Sequence, residues 1–394
     1  MPDTGADPSR RPTATDAWRA LLPDAVLVAG AVPWLAPAAL DHLGDPDGER
    51  VDLLAGRPVV VPRLALGHLR LTGADRVPFT HGLLSQDVAG LPEGAASDAL
   101  LLDHRGQPRA GVTVVRRRDD LFLAVDDGAG AAVRRVLEEH VVFDQVEVQD
   151  LDARLVGATL HAADPAALSA AVDAAWDGSG EALAGVIALV DGRPEAGTGP
   201  TVEPATAHGR ALLRPRRQAG AWAVDVHLLA EDLALAWSAW VRARVRPVGE
   251  RAWTAGRVAA GHASALGEGR LGLPQETGLE GRISYRKGCY LGQEIMARVE
   301  ARASLRRGLR RVRLDGPPPG LGLARAWRIE GRDGRPVGAL GSAAPAPDGR
   351  GWWALAVVRL DADDTAGWQL RVDGEPPRSG PTAIAVSLLA AGGT

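Results

Sequence analysis

The spacing of apolar and polar residues predicts a unit of strands and helices in the first part of the chain. Leucines alternate with polar residues over 66–73 and predict a β-strand. Apolar residues at mostly helical spacing over 72–88 predict a helix, and 97–115 has the pattern of a β-hairpin. A strand over 121–127 and an amphipathic helix over 130–142 follow. This order is typical of a small antiparallel sheet covered by helices, so we expect an α+β fold.

Elements of the same kind follow with a weaker pattern. A strand over 153–162 and a helix over 165–176 precede a stretch rich in Gly, Pro and Thr at 190–210, which predicts a loop or linker. An amphipathic helix is predicted over 230–245. Beyond the segment DGPPPG (315–320), short apolar runs alternate with Gly, Pro and Asp turns, a pattern that predicts a small β-barrel or sandwich.

Length and composition indicate a multidomain globular protein. The 394 residues suggest two or three domains, and a hydrophobic share of 46% is ordinary for a globular chain. A single cysteine excludes an internal disulfide. The polar, Pro-rich N-terminus predicts a disordered tail over 1–24, and the apolar run at 25–40 is too short to span a bilayer. We therefore expect a cytoplasmic protein with no membrane partner, and a monomer.

Charge is distributed unevenly. The net charge is −4, but residues 281–313 contain ten basic and two acidic residues, so this segment carries +8 and the rest of the chain −12. A basic segment in an acidic protein suits an anionic ligand or partner. A solvated arginine-rich face is the alternative.

The segment KGCYLGQE (287–294) collects residue types that are rare in this chain. Lys287 is the only lysine among 45 basic residues, Cys289 is the only cysteine, and both tyrosines, Tyr285 and Tyr290, lie beside them. In an extended loop residues i and i+2 point the same way, and a neighbouring cation lowers the pKa of a cysteine thiol. We therefore predict that Cys289 is a functional thiol and Lys287 its activating partner. The alternative is an inert packing cysteine.

A short helix is predicted to begin just after this pair. Gly292 permits a tight turn, and the helix would start near Gln293, with Glu294 in its first turn, where the helix dipole favours a carboxylate. Arg298 and Arg302 are four residues apart and share a face.

Other kinds of site are not indicated by the sequence. The nine histidines lack metal-ligand spacing, so no metal is expected. The sequence has no Walker A loop, no G-x-S-x-G and no aromatic RNA-binding signature, so no direct nucleic-acid motif is identified.

The segment KGCYLGQEIMAR (287–298) resembles the signature of the YgfZ-type proteins, folate-binding relatives of the glycine-cleavage T-protein. LRLTGADRVPFTHGLLSQDVAGLPEG (69–94), RVAAG (257–261) and LPQETGL (273–279) are similar to other segments of that family. The resemblance implies ferredoxin-like antiparallel sheet units and a C-terminal small β-barrel, forming three domains around a central channel. It divides the chain after the tail into two interleaved α+β domains over 25–305 and a barrel over 306–394.

The resemblance also implies a cofactor and a role. The cofactor would be tetrahydrofolate or a one-carbon derivative. The role would be assembly or repair of iron–sulfur cluster enzymes, including one that modifies tRNA, and those client enzymes would be the partners. Candidate folate-binding residues are Tyr290, Gly292, Gln293, Glu294, Arg298 and Arg257.

Two departures separate this chain from the T-proteins. The family's catalytic aspartate pair is replaced by Arg109, Ala110 and Gly111, and a glutamate that grips the pterin is replaced by Ala259. We therefore expect no aminomethyltransferase turnover with the glycine-cleavage partners. Two alternatives to the accessory role stay open: a folate-dependent one-carbon transferase, and a folate-binding module in which Cys289 is inert.

Overall fold

The computed structural model describes residues 14–22, 25–28, 39–190, 198–203, 205–206, 209–218, 221–302, 304–318, 327–362, 367–372 and 384–389. The helices within these residues are α1 (Ala14–Leu21), α2 (Pro46–Leu54), α3 (Arg76–Leu83), α4 (Gly130–His140), α5 (Pro165–Ala175), α6 (Ser179–Val190), α7 (Leu233–Arg242), α8 (Glu250–Ala260) and α9 (Gln293–Arg302). None of the described helices is long and apolar enough to cross a membrane.

The strands of the described residues fall into two long sheets, a barrel and one short pair. They are β1 (Val26–Val28), β2 (Ala39–His42), β3 (Val59–Arg63), β4 (Gly67–Thr72), β5 (Ala95–Leu102), β6 (Pro108–Arg116), β7 (Leu121–Val125), β8 (Glu147–Asp150), β9 (Leu155–Ala162), β10 (Gly199–Pro200), β11 (Ala205–Thr206), β12 (Gly209–Gln218), β13 (Ala221–Leu229), β14 (Arg246–Pro247), β15 (Arg307–Leu314), β16 (Trp327–Glu330), β17 (Pro336–Pro345), β18 (Trp352–Arg359), β19 (Trp368–Val372) and β20 (Ala385–Leu388).

The first sheet contains the strands and hairpin predicted from the start of the chain. Its order is β10-β5-β6-β7-β4-β8, and β5 pairs with β6 as the predicted hairpin, with Leu101 opposite Ala110. Helices α3 and α4 place Phe79 and Val133 in the core beneath the sheet. The predicted α+β class is confirmed here. Helix α3 is shorter than predicted because Leu84 adopts an extended conformation and bridges to Leu101.

The second sheet has the order β11-β12-β13-β9-β3-β14 and is covered by a layer of helices. Tryptophans hold this layer together: Trp176 on the segment after α5 meets Trp240 on α7 edge to face, with ring centroids 5.9 Å apart. Trp18 on α1 is fully buried and meets Trp237 with centroids 5.5 Å apart. The prediction of a disordered tail is therefore wrong for Ala14–Leu21, because Trp18 anchors the segment to the core. Residues 1–13 and 23–24 lie outside the described residues.

The chain alternates between the two sheets. Strand β3 belongs to the second sheet, β4 to β8 build the first, β9 returns to the second, and β10 adds an edge strand to the first. The stretch at 190–210, predicted as a loop, therefore supplies two very short strands, β10 and β11. Residues 191–197, 204 and 207–208 of that stretch lie outside the described residues.

The C-terminal part is a closed antiparallel barrel of order β15-β18-β17-β16-β19-β20. It begins at Arg307 and buries Val312, Trp327 and Trp368 in its interior. Alternating apolar residues and turn residues thus produce the barrel predicted from the sequence.

Candidate functional site

A cavity of about 490 Å³ lies where the two sheets, helix α8 and the barrel meet. The first sheet contributes Thr113, the second Thr159, α8 Trp253 and the barrel Trp352. This cavity is the central space expected between the parts of the fold. Its charged lining consists of Arg63, Arg214, Arg216, Arg251, Arg257, Arg282, Asp41, Asp98, Asp126, Asp225 and Glu250.

A buried ion pair joins the two sheets at the cavity wall. Arg214 of β12 donates to both carboxylate oxygens of Asp98 on β5, at 2.8 and 2.9 Å, and both side chains are almost fully buried. Thr113 donates a further hydrogen bond to Asp98 at 2.8 Å. Although burial opposes ionisation, the Arg214 guanidinium prevails and holds the pKa of Asp98 well below its usual value. Asp98 is therefore a structural anion.

A second pair lies beside the first, within the second sheet. Arg216 donates to the two oxygens of Asp225 at 2.6 and 2.9 Å, and Thr159 donates to the same carboxylate at 3.1 Å. Burial raises the pKa of Asp225, but the charge and hydrogen bonds of Arg216 outweigh it and leave the pKa at about 2. In return, Asp225 raises the pKa of Arg216. Both carboxylates are therefore weak bases, poorly suited to accept a proton near neutral pH.

Two buried histidines make another contact between the sheets. His68 Nε2 lies 3.2 Å from His227 Nδ1, and His227 lines the cavity. Burial, reinforced by His68, lowers the pKa of His227 to about 3. His227 is therefore neutral at physiological pH.

Arg257, a predicted folate-binding residue, lies at the cavity and connects α8 to the barrel. Its guanidinium donates to Glu268 at 2.9 Å and to the Ser342 hydroxyl. Glu268 is fully buried and also accepts hydrogen bonds from the backbone N–H groups of Ser264 and Ser342. Arg257 is thus held by protein groups while one side faces the cavity. The carbonyl of Ala259 accepts a hydrogen bond from Arg311, which fixes the same helix to the barrel.

Lys287 lies against the end of helix α3. Its ammonium donates to the carbonyls of His81, Leu84 and Gln86, at 2.6 Å to Leu84 and 3.2 Å to Gln86, and lies 4.8 Å from the ring centroid of Tyr290. Burial lowers the pKa of Lys287 to about 8. Within the described residues its hydrogen bonds go to carbonyls and none goes to Cys289.

The rest of the signature forms the loop around Lys287. Tyr290 is buried in a cluster with Leu100 and Met296, and burial raises its pKa to about 12. The Gln293 side-chain oxygen accepts from the Tyr290 backbone N–H at 3.3 Å, and Gly292 has a φ of +82° and lies close to the first hairpin.

The remaining predicted site residues are exposed. Glu294 pairs with Arg298 at 2.8 Å on the surface of α9, and Cys289 is exposed. The side chain of Arg302 lies outside the described part of the chain. Of the predicted site residues, Arg257 lines the cavity, whereas Lys287, Cys289, Tyr290, Gly292, Gln293, Glu294 and Arg298 do not.

Sequence patterning did not single out the charged residues of the cavity wall. Two of them occupy positions inside largely apolar strands, Asp225 in WAVDVHLL of β13 and Asp98 in AASDALLL of β5. A charge inside an otherwise apolar strand is expensive to bury without a partner. That pattern was the available signal for Asp98 and Asp225. No group of three or more His, Cys, Asp or Glu side chains that could hold a metal ion occurs among the described residues.

Comparison with known proteins identifies the fold. No family model matches the chain. Over 331 residues it is 24% identical to a chloroplastic protein of Arabidopsis thaliana named as a putative transferase, an alignment covering 81% of this chain and 69% of that protein. The crystal structure of glycine cleavage system aminomethyltransferase T from Bartonella henselae matches with a TM-score of 0.72 and 16% identity, covering 96% of each chain.

A heterotetrameric sarcosine oxidase from Corynebacterium sp. U-96 matches with a TM-score of only 0.32 and 17% identity, over 59% of this chain and 94% of that one. The likeness to the Bartonella structure shows that this chain has the aminomethyltransferase T fold. It does not distinguish the YgfZ branch, so that assignment stays a prediction from the signature.

Proposed function

We propose that the cavity binds a tetrahydrofolate and that the protein is a folate-dependent one-carbon transferase. The observation that carries this proposal is the position and lining of the cavity. It lies at the junction of the two sheets, α8 and the barrel in an aminomethyltransferase T fold, and it presents both guanidinium and carboxylate groups. The name of the Arabidopsis relative, a transferase, is consistent with the same class of reaction.

The side chains of the cavity fit the chemistry of a reduced folate. A folate has a planar pterin with N–H donors and a carbonyl, and a tail that ends in carboxylates. Carboxylates such as Asp126 and Glu250 would accept from pterin N–H groups, and Arg251 and Arg282 would donate to oxygens. Trp253 and Trp352 offer apolar surface for a planar ring. When bound, the folate would carry the one-carbon unit, and the protein would bind it, orient it and limit the access of water.

A second candidate function is the accessory role in the maturation of iron–sulfur enzymes. One observation favours it: strand β6 carries no carboxylate at Arg109, Ala110 or Gly111, where a T-protein has its catalytic acid. The exposed Cys289 would then face a client enzyme. In this case the protein would bind folate without conventional turnover.

Calorimetry with tetrahydrofolate tests the shared part of both functions. We expect saturable binding that weakens with added salt, because the ligand tail is anionic. Arg251→Met should weaken binding about tenfold, since Arg251 lines the cavity and a charged hydrogen bond is worth roughly that much. Arg298→Met is the matched control, because Arg298 lies on α9 and pairs with Glu294. Absence of heat at millimolar ligand would refute the proposal, and an effect confined to Arg298→Met would move the site to the signature helix.

A further inference from the structure

The cavity contains a carboxylate that the strand β6 does not itself provide. Val112 of β6 is registered with Val125 of β7, so Gly111 and Asp126 face each other one residue further along. Asp126 lines the cavity and keeps 32% of its side chain exposed. The Asp126 Oδ2 atom lies 3.5 Å from Nη1 of Arg282. A carboxylate therefore occupies the space beside Gly111.

Glycine at position 111 is what admits this pair. A Cβ added to Gly111 would lie 2.6 Å from Arg282 Nη1 and 2.7 Å from Asp126 Oδ2. Both distances are shorter than the van der Waals contact distance. Any other residue would displace one member of the pair or the other. The absence of a side chain at Gly111 is thus linked to the presence of Asp126 and Arg282 in the cavity.

Both members are fixed to the first sheet. Asp126 directly follows β7 and begins a short 3-10 turn, and Arg282 ends another short turn. The carbonyl of Arg282 accepts a 2.6 Å hydrogen bond from the hydroxyl of Ser85, whose side chain is fully buried. The carboxylate and the guanidinium are therefore presented side by side at a defined place.

Two other carboxylates of the cavity lining, Asp98 and Asp225, are committed to structure. Asp98 and Asp225 each accept two hydrogen bonds from one guanidinium, and those arginines keep the pKa of each carboxyl low. An acceptor and a donor side by side match one edge of a reduced pterin, where the N5–H donor lies next to the C4 carbonyl.

We propose that Asp126 and Arg282 form the pterin subsite, with Asp126 accepting the N5–H and Arg282 donating to the neighbouring carbonyl. This inference rests on the proposed folate function and adds the residues that recognise the reduced state of the ring. Tetrahydrofolate has the N5–H, whereas 7,8-dihydrofolate has an imine nitrogen there and an otherwise matching edge. The wild-type protein should therefore bind tetrahydrofolate about ten- to hundredfold more tightly than dihydrofolate, the range for one hydrogen bond to a charged group.

The test is calorimetric titration of both ligands into the full-length protein under anaerobic conditions. In Asp126→Asn the preference should fall to about threefold or less, because an amide can donate to the imine nitrogen. Gly111→Ala should lose the preference too, with Asp126 intact. The matched control is Gly185→Ala on α6, which has no atom within 4 Å of an added Cβ and should retain the wild-type preference.

The outcomes separate this inference from the proposed function. Binding of neither ligand to the wild type would refute the folate function and this inference with it. Binding with an unchanged preference in Asp126→Asn and Gly111→Ala would refute only the inference. An equal loss of affinity for both ligands in Asp126→Asn would also overturn the inference, because the carboxylate would then bind the pterin at an atom other than N5.

Discussion

Replacing Lys287 should destabilise the fold, because its ammonium fastens the signature loop to the end of helix α3. The last turn of a helix leaves carbonyls without intrahelical partners, and a cation there is favourable. Lys287 donates to the carbonyl of His81 in this last turn and to that of the C-cap residue Leu84, and a third hydrogen bond reaches Gln86 just beyond the helix. Its charge also faces the ring of Tyr290. In Lys287→Met all of these interactions disappear while an unbranched side chain of similar length remains.

The expected loss follows from these contacts. A hydrogen bond to a charged group is worth about 1.5–3 kcal/mol, but the three bonds share one ammonium and water can reach part of the site, so they do not add. We expect Lys287→Met to lower the free energy of unfolding by about 2–4 kcal/mol. Lys287→Arg should recover only part of this, because a planar guanidinium cannot aim at three converging carbonyls. Urea denaturation followed by circular dichroism measures both variants.

Arg298→Met is the control for Lys287→Met. Arg298→Met removes an exposed i,i+4 pair with Glu294 and should lower the free energy of unfolding by about 0.5 kcal/mol at most. A free energy of unfolding of Lys287→Met that lies within about 0.5 kcal/mol of the wild-type value would refute the capping role. The predicted pairing of Lys287 with Cys289 is tested in the same proteins by the alkylation rate of the thiol against pH. A midpoint that shifts in Lys287→Met but not in Arg298→Met would support that pairing.

Two further predictions concern the contacts between the sheets. Arg214→Met leaves Asp98 buried without its partner and should lower the free energy of unfolding by about 3–5 kcal/mol. Adding Asp98→Leu should restore much of this loss. Urea denaturation measures both variants, and no loss in the single variant or no recovery in the double would contradict the prediction. Burial beside His68 lowers the pKa of His227 to about 3, so His227 binds a proton less readily in the folded protein than in the unfolded chain. The free energy of unfolding therefore falls as the pH drops below about 6.5. Between pH 7 and 5 the free energy of unfolding of the wild type should fall by about 2 kcal/mol more than that of His227→Gln, as measured by urea denaturation. Equal pH dependence in both proteins would contradict the lowered pKa of His227.

The sequence predicted the elements of this fold better than its long-range contacts. Alternation with period two marks β4, and turn residues mark the start of β7 and the barrel strands, because these signals are local. Helix α1 was missed because the burial of Trp18 depends on Trp237, far along the chain. A polar, Pro-rich segment with one tryptophan gives no local indication that a partner for that ring exists.

The candidate site was predicted at the signature because rare residues draw attention there. Lys287 and Tyr290 are rare in this chain and do have a defined place, but that place is the junction of the signature loop with α3 and not the cavity. The cavity residues escaped notice because arginine and aspartate are abundant in this sequence. Arg214 and Asp98 form an ion pair only because β12 faces β5 in the folded protein. A single sequence does not reveal which strands face each other.

The buried arginines of the cavity wall and Lys287 have acceptors of different shapes. A guanidinium is planar and matches the two oxygens of a carboxylate, as Arg214 does with Asp98 and Arg216 with Asp225. An ammonium carries three donors that rotate on a flexible stem. Lys287, the only lysine among 45 basic residues, lies where three backbone carbonyls converge, and there the ammonium has the better geometry. A lysine at this position is therefore accounted for by a local acceptor geometry, which does not by itself require a role for Lys287 in the chemistry of a ligand.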